Sequence, residues 1–325
     1  MIFEVRVAWA AFFLFGVHLP ASLQTVAFVV DESPTQFVRS FVIPIENTNL
    51  GAAVVPVPGK PSPALVGGEE VVVRLFDPVS RLLLLELAEG QEGIELGQSQ
   101  NLQLGDSLFL RLEGDVQPSR FVSRESRYGE KPLPLELLRV HHPEGVDVPT
   151  GSPLYDSAGR LVAMTYLEAN ELGNGSLAFP VEAIRRVLEG TERKGTMVRS
   201  WFGVELRATD PAPVVQGIRE KSPAAKAGLV TGDILLQIGT RKIRSYEEAV
   251  NSFYYLLEGK ETSVRVLRAT EVLDLTVLPE LVPQPVVPAK VSEPEEEPEA
   301  VEAPPAVELK SPPEPELPEE PAKEE

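Results

Sequence analysis

The chain has 325 residues, 43% of them hydrophobic, which is enough for two packed domains with ends to spare. A formal charge of −19 without a basic stripe argues against nucleic acid as a partner, and the absence of cysteine excludes disulfides, cysteine–zinc sites and thiol nucleophiles. Histidine occurs only as His18, His141 and His142, which excludes a His-rich metal site.

Residues 1–27 read as a secretory signal. Arg6 and the amino terminus precede an apolar run from Val7 to Leu19, Pro20 breaks it, and Thr25-Val26-Ala27 are small enough for a signal peptidase. The run is shorter than the ~20 apolar residues of a membrane span. Cleavage would release an extracytoplasmic protein, periplasmic or secreted. The alternatives are an uncleaved membrane anchor and a helix buried in the mature fold.

Residues 28–180 read as mostly strand. Glu70–Phe76, Leu82–Leu87, Ser107–Leu112, Leu135–Val140 and Arg160–Tyr166 are apolar or β-branched runs punctuated by Gly, Pro, Asp and Asn, a pattern of sandwiches and barrels. Pro180 to Leu188 predicts a short helix ended by Gly190, and residues 191–200 a polar connector.

The segment Lys221–Ile238 is the most informative. Ser222 can cap a short helix, Pro223 suits its first position, Gly228 suits the left-handed residue after its end, and Thr231-Gly232-Asp233 reads as a tight turn. Ile234, Leu236 and Ile238 then alternate as the buried face of a strand. A second helix begins at a capping box of Ser245 and Glu248, carries Tyr246, Ala249, Val250, Phe253 and Leu257 on one face, and stops at Gly259. Ser263–Arg268 and Val272–Leu278 close the segment as strands. From Pro283 to Glu325 there are 13 Glu, 3 Lys and 12 Pro and no aromatic residue. Such a stretch buries too little apolar surface to offset chain entropy and reads as a disordered acidic tail.

A capped short helix, a Gly-Asp turn and an apolar strand, in that order, resemble a PDZ domain of the bacterial protease-associated type, over residues 196–280. Upstream, LQLGDSLFL (Leu102–Leu110), LELLRV (Leu135–Val140), VPTGSPLYDSAGRLVAM (Val148–Met164) and AFPVEAIRRVL (Ala178–Leu188) resemble the second barrel and trailing helix of trypsin-like serine proteases of the HtrA type. The resemblance implies a mainly β fold: a trypsin-like double β-barrel over residues 28–190, an α+β PDZ domain and the tail. Residues 28–90 are few for a complete first barrel, so a reduced one is expected.

Carried onto this sequence, the resemblance implies an eroded catalytic site. Thr150 stands at the nucleophile position of a GNSGGPL-like motif, with Val148 in place of a turn-permitting Gly and Pro149 holding Val148 extended. Arg81 stands at the Asp position of a DPxTDLALLKV-like stretch that begins at Asp77, where a cation would oppose an imidazolium. No histidine lies between His18 and His141, where the family's base belongs. The catalytic alternative is a shifted nucleophile, Ser152, with His141 or His142 as base and Asp147 as orienter. In the PDZ-like segment, Trp201-Phe202-Gly203-Val204 aligns with the loop that holds a peptide's terminal carboxylate. Glu205 and Leu206 continue into the strand that would pair with the peptide, and Phe202, Val204, Ala249 and Phe253 would border an apolar pocket.

Three functions follow as expectations. The first is a non-catalytic adaptor or scaffold in envelope protein quality control that binds protein C-termini or unfolded segments, assembling with itself or a related protease, without metal or cofactor. The second is an endopeptidase using Thr150 or Ser152. The third is a structural envelope protein whose groove is closed.

Overall fold

Val26, Phe28 and Val30 are fully buried at a two-residue spacing, which sets the first strand, β1 (Gln24–Val30). The computed structural model describes residues 23–282, apart from 31–32, 129–130, 170–173, 192–194, 198 and 209–211. Residues 24–27, assigned above to the leader, therefore open a barrel strand, so a boundary after Ala27 would cut β1. Residues 1–22 of the expected leader and the whole expected tail lie outside the described residues.

The first barrel continues with β2 (Ser33–Pro44), β3 (Leu50–Val54), β4 (Pro61–Val66), β5 (Glu69–Val71), β6 (Val73–Phe76) and β7 (Leu82–Glu86). The second uses β8 (Ser107–Leu112), β9 (Asp115–Tyr128), β10 (Lys131–His141), β11 (Pro153–Tyr155), β12 (Leu161–Glu168) and β13 (Gly175–Pro180). The two repeat one topology. The second closes in the order β8-β9-β10-β13-β12-β11, and the first runs β1-β2-β3-β7-β6 with β4 on the other side of β1. The first barrel thus has its strands; what differs is closure. The outer neighbour of β4 is β5, and that of β6 is a parallel strand from the connector, β14 (Gly195–Thr196). The connector is therefore partly strand, where its polarity predicts none.

Each barrel has its own core, one around Phe28, Val42 and Leu83, the other around Leu108, Leu138 and Val162. A third cluster fills the seam between them with Phe41, Leu84, Leu137, Tyr155 and Phe179, and α1 (Val181–Glu189) packs Ile184 and Val187 into it. Each such side chain contributes about 1.5–3 kcal/mol by leaving water.

The PDZ segment comprises β15 (Ser200–Trp201), β16 (Val204–Leu206), β17 (Val215–Ile218), α2 (Pro223–Lys226), β18 (Ile234–Ile238), β19 (Arg241–Lys242), α3 (Tyr246–Tyr254), β20 (Thr262–Arg268), β21 (Glu271–Val277) and β22 (Glu280–Leu281). Ser222 caps α2 by accepting from the Ala225 amide, and Gly228 beyond its end has φ +83°, as the sequence predicts. Ser245 caps α3 through the Glu248 amide. Asp233 is fully buried in the turn before β18. There it accepts from the Val230 amide (3.0 Å) and from Arg268 at 2.8 and 2.9 Å.

Two expectations fail for identifiable reasons. Leu235 and Ile238, not Ile234 and Leu236, point into the core of β18, because a bulge against β20 between Leu235 and Gln237 resets the alternation. The second helix ends at Tyr254, short of Leu257, and buries Asn251, Ser252 and Tyr254 besides Ala249. It is covered on two sides. One side closes the PDZ core and the other packs on β9 and β10. Tyr254 reaches through the seam to donate to Asp77 Oδ2 at 2.6 Å, and the Arg186 guanidinium lies 4.3 Å from its ring centre. Burial, with the Asp77 carboxylate beside it, pushes the Tyr254 phenol well up, so it remains a donor.

Candidate functional site

The cleft between the barrels holds the positions that carry catalysis in trypsin-like folds. Asp77 is buried and turns the chain between β6 and β7, accepting from the Val79 amide (3.1 Å), the Ser80 amide (3.2 Å) and the Ser80 hydroxyl (2.6 Å). Arg81 follows with φ +58°, in the left-handed region. Its Nε donates to the Val55 carbonyl at 2.8 Å, and the Val55 amide donates back to the Arg81 carbonyl at 2.9 Å. The neighbour of Arg81 on the chain leaving β3 is thus the valine Val55.

Across the cleft, the Thr150 hydroxyl donates to the Tyr166 carbonyl at 2.9 Å. Gly151, with φ +85°, presses on Ser40 of β2. Its amide donates to the Thr165 carbonyl at 2.8 Å, and the Ser152 amide to the Thr165 hydroxyl at 2.9 Å. Ser152 is buried, and its hydroxyl donates to the Pro149 carbonyl at 2.7 Å. Pro149 has no N–H to offer. The amides of Gly151 and Ser152 are therefore committed inward, which denies a nucleophile at Ser152 its own oxyanion donor.

The shifted triad is not brought together. His141 and Asp147 are exposed, while His142 is fully buried in the second barrel, between Ser119 Oγ (2.9 Å from Nδ1) and Ser176 Oγ (2.8 Å from Nε2). Burial, reinforced by neighbouring His141, lowers the His142 pKa to about 4, so the ring is neutral at ordinary pH. No local sequence motif marks this Ser–His–Ser bridge. Its members sit on three separated segments, and only pairing of β9, β10 and β13 assembles them.

The residues expected to border a peptide groove lie together. Gly203 has φ +85°, and a Cβ there would lie 2.2 Å from Ser222 Cβ, so only glycine lets the loop settle on the cap of α2. The Phe202 carbonyl accepts from the Ala224 amide at 3.0 Å, and the Gly203 carbonyl from the Arg219 amide at 2.9 Å. In a trans peptide the N–H points opposite the C=O. The amides of Gly203 and Val204 therefore point away from α2 and β17, toward the open side of the loop. β16 has β17 as its one sheet neighbour among the described residues, leaving the other edge unpaired.

Phe202 and Ala249 are buried, Val204, Leu206 and Phe253 are partly buried against the same cluster, and the Phe202 and Phe253 rings lie 5.3 Å apart. Ala249 is thus floor, not wall. Trp201 pairs with Glu280 through its backbone, and its ring braces Gly203 from the side. Glu205 stands on the outer face of β16, 3.6 Å from Arg219.

Comparison with known proteins agrees with this architecture. Residues 200–278 match the PDZ domain family. The chain is 29% identical over 142 residues to serine endoprotease DegS of Haemophilus influenzae, covering 41% of this chain and 42% of that protein. It is 26% identical over 251 residues to the mitochondrial serine protease HTRA2 of Bos taurus, covering 65% and 52%. The chain thus spans about half the length of these relatives or less. Among solved structures, that of the HtrA-type protease AlgW with a tripeptide aligns with a TM-score of 0.60 at 19% identity, over 84% of this chain and 98% of that one. Barrels, trailing helix, PDZ domain and relatives together make this chain a homologue of the HtrA-type proteases, a trypsin-like double barrel followed by a PDZ domain.

Proposed function

We propose that the protein is a non-catalytic HtrA-type adaptor that holds protein C-termini or extended segments in its PDZ groove. The observation that carries this is the orientation of the loop at Phe202–Val204. Its carbonyls are consumed by α2 and β17 and its amides face an unpaired strand edge. A terminal carboxylate fits the amides, and main-chain bonds to β16 hold the residues behind it. Two AlgW structures that align with this chain contain a tripeptide and a decapeptide, which supports peptides as the ligand class.

On the catalytic side, Arg81, Thr150 and Ser152 are each occupied with internal bonds, to the carbonyls of Val55, Tyr166 and Pro149. An imidazole base and an oxyanion receptor are both needed for acyl transfer, and losing one member removes most of the rate. Several relatives are named periplasmic serine endoproteases, which supports an extracytoplasmic location and a role in envelope protein quality control. Among the described residues no helix is long and apolar enough to cross a membrane.

The protease names of the relatives favour a second reading, an active endopeptidase. Casein turnover separates the two. The adaptor reading expects none above background, and turnover abolished by Thr150→Ala or Ser152→Ala would end it. Titration with labelled peptides ending in an apolar residue tests the groove directly. Binding should be lost when the peptide terminus is amidated and when Gly203 is replaced by Glu. Binding that survives both would place the ligand elsewhere.

A further inference from the structure

The groove has an outward face that the apolar pocket leaves unexplained. Along β16 the odd-numbered residues are bonded to β17, since the Gly203 carbonyl accepts from the Arg219 amide and the Arg207 amide donates to the Val214 carbonyl. The N–H and C=O of Val204 and Leu206 therefore point to the open edge. A chain end whose carboxylate sits on the loop amides would place its last residue opposite Val204. Its third-from-last residue would lie opposite Leu206 and its penultimate residue opposite Glu205. Directly opposed residues in an antiparallel pair share a face. The last and third-from-last side chains would point with Val204 and Leu206 into the groove, and the penultimate one would lie beside Glu205.

Glu205 is placed to read that residue. Its side chain is 61% exposed, and it stands on the strand next to the ligand. The residue opposite it on β17 is Gly217, which contributes no side chain. Its cation neighbour Arg219 is 68% exposed, lies 3.6 Å away, and pairs with Gly203, one step farther from the penultimate position. A pair this exposed is loosely held.

Resting on the peptide-binding reading above, we infer that Glu205 makes the groove selective for chain ends that carry lysine or arginine as the penultimate residue before an apolar terminus, and that disfavour aspartate or glutamate there. Opposite charges directly across a strand pair attract and like charges repel, and the ligand adds that pair to its main-chain bonds. The partner is thus a protein whose C-terminus ends in a cationic residue followed by an aliphatic or aromatic one.

The test uses the full chain and three labelled decapeptides identical except for Lys, Ala or Glu before a terminal Val. Affinity should fall in the order Lys, Ala, Glu, with about five-fold between the extremes at low salt and less at high salt. Glu205→Lys, a change at an exposed position, should reverse the order, and Glu205→Gln should flatten it. Equal binding of all three peptides, lost on amidation of their termini, overturns the penultimate selection and leaves the groove standing. An order that persists in Glu205→Lys overturns it too, by placing the charge elsewhere. No binding by any peptide overturns both the selection and the groove.

Discussion

Gly151 in the barrel and Gly203 in the PDZ domain share a backbone conformation and a packing environment, yet present opposite chemistry. Both have φ +85°, and a Cβ on either would meet a serine side chain at 2.2 Å, Ser40 in one case and Ser222 in the other. At Gly151 the fold consumes amides: those of Gly151 and Ser152 donate to the Thr165 carbonyl and hydroxyl. At Gly203 it consumes carbonyls: those of Phe202 and Gly203 accept from Ala224 and Arg219. A glycine turn becomes an anion receptor only where the carbonyl ends are the ones tied up, leaving the positive ends of the peptide dipoles outward. Sequence motifs mark where such turns lie, and the neighbouring segments decide which way they face.

The largest effect should come from filling both glycines. Gly151→Ala and Gly203→Ala each force a left-handed alanine against a serine, and each should cost about 3 kcal/mol or more in urea unfolding. Peptide binding should divide them. Gly203→Ala should weaken it more than about ten-fold, since the loop must shift away from Ser222, whereas Gly151→Ala should leave it unchanged at temperatures where the chain stays folded. Equal effects on binding would break the comparison.

Acid should separate the two regions next. The unfolded chain protonates His142 near 6.5, and the folded chain only near 4. Acid therefore favours the unfolded state throughout that window. The contribution is complete above pH 6.5 and falls by about 3 kcal/mol as pH approaches 4. In the PDZ domain, burial raises the Asp233 pKa, but the Arg268 and Val230 hydrogen bonds and the Arg268 charge outweigh it, and the net shift is downward. That stability is present above the ordinary aspartate range and is lost only as pH drops through the lowered value. Hydrogen exchange at pH 5 should show second-barrel amides opening before those of β18 and β20. His142→Gln should flatten the barrel's pH dependence, and PDZ amides opening first would contradict the assignment.

A third test divides one helix between the regions. Phe253 and Tyr254 are neighbours on α3, one on the groove and the other on Asp77. Tyr254→Phe removes a donor from a buried carboxylate and should cost about 2 kcal/mol. Peptide affinity should stay within about two-fold, because the groove keeps its own walls. A large loss of affinity would show that the barrel face of α3 shapes the groove.

The sequence is legible where a local rule decides and obscure where a tertiary partner does. Ser222, Gly228 and Ser245 announce α2 and α3 because caps act on the nearest turn. Tyr254 looks like one more position on an amphipathic helix, because nothing nearby reveals that a barrel covers its other face. The alternation in β18 misleads because the bulge that breaks it is made jointly with β20. Of the residues proposed for the groove, Phe202 and Val204 follow from the loop motif, Leu206 from the strand after it and Phe253 from the amphipathic face of the second helix. The role of Glu205 needs the direction of each peptide bond along β16, which only its pairing with β17 fixes.

The smallest expected effect is the most diagnostic of the barrel. Thr150→Ser restores the residue type of a serine nucleophile and removes one methyl group. It should yield no casein turnover above background. The serine hydroxyl would inherit the bond to the Tyr166 carbonyl that Thr150 makes at 2.9 Å, which directs its proton into the protein. Arg81, at the position of the family's Asp, would oppose a charged imidazole even if one were supplied. Turnover in Thr150→Ser would mean that the loop readily rearranges to free the hydroxyl from the Tyr166 carbonyl. The opposition between the two glycine turns would then be one of population rather than of architecture.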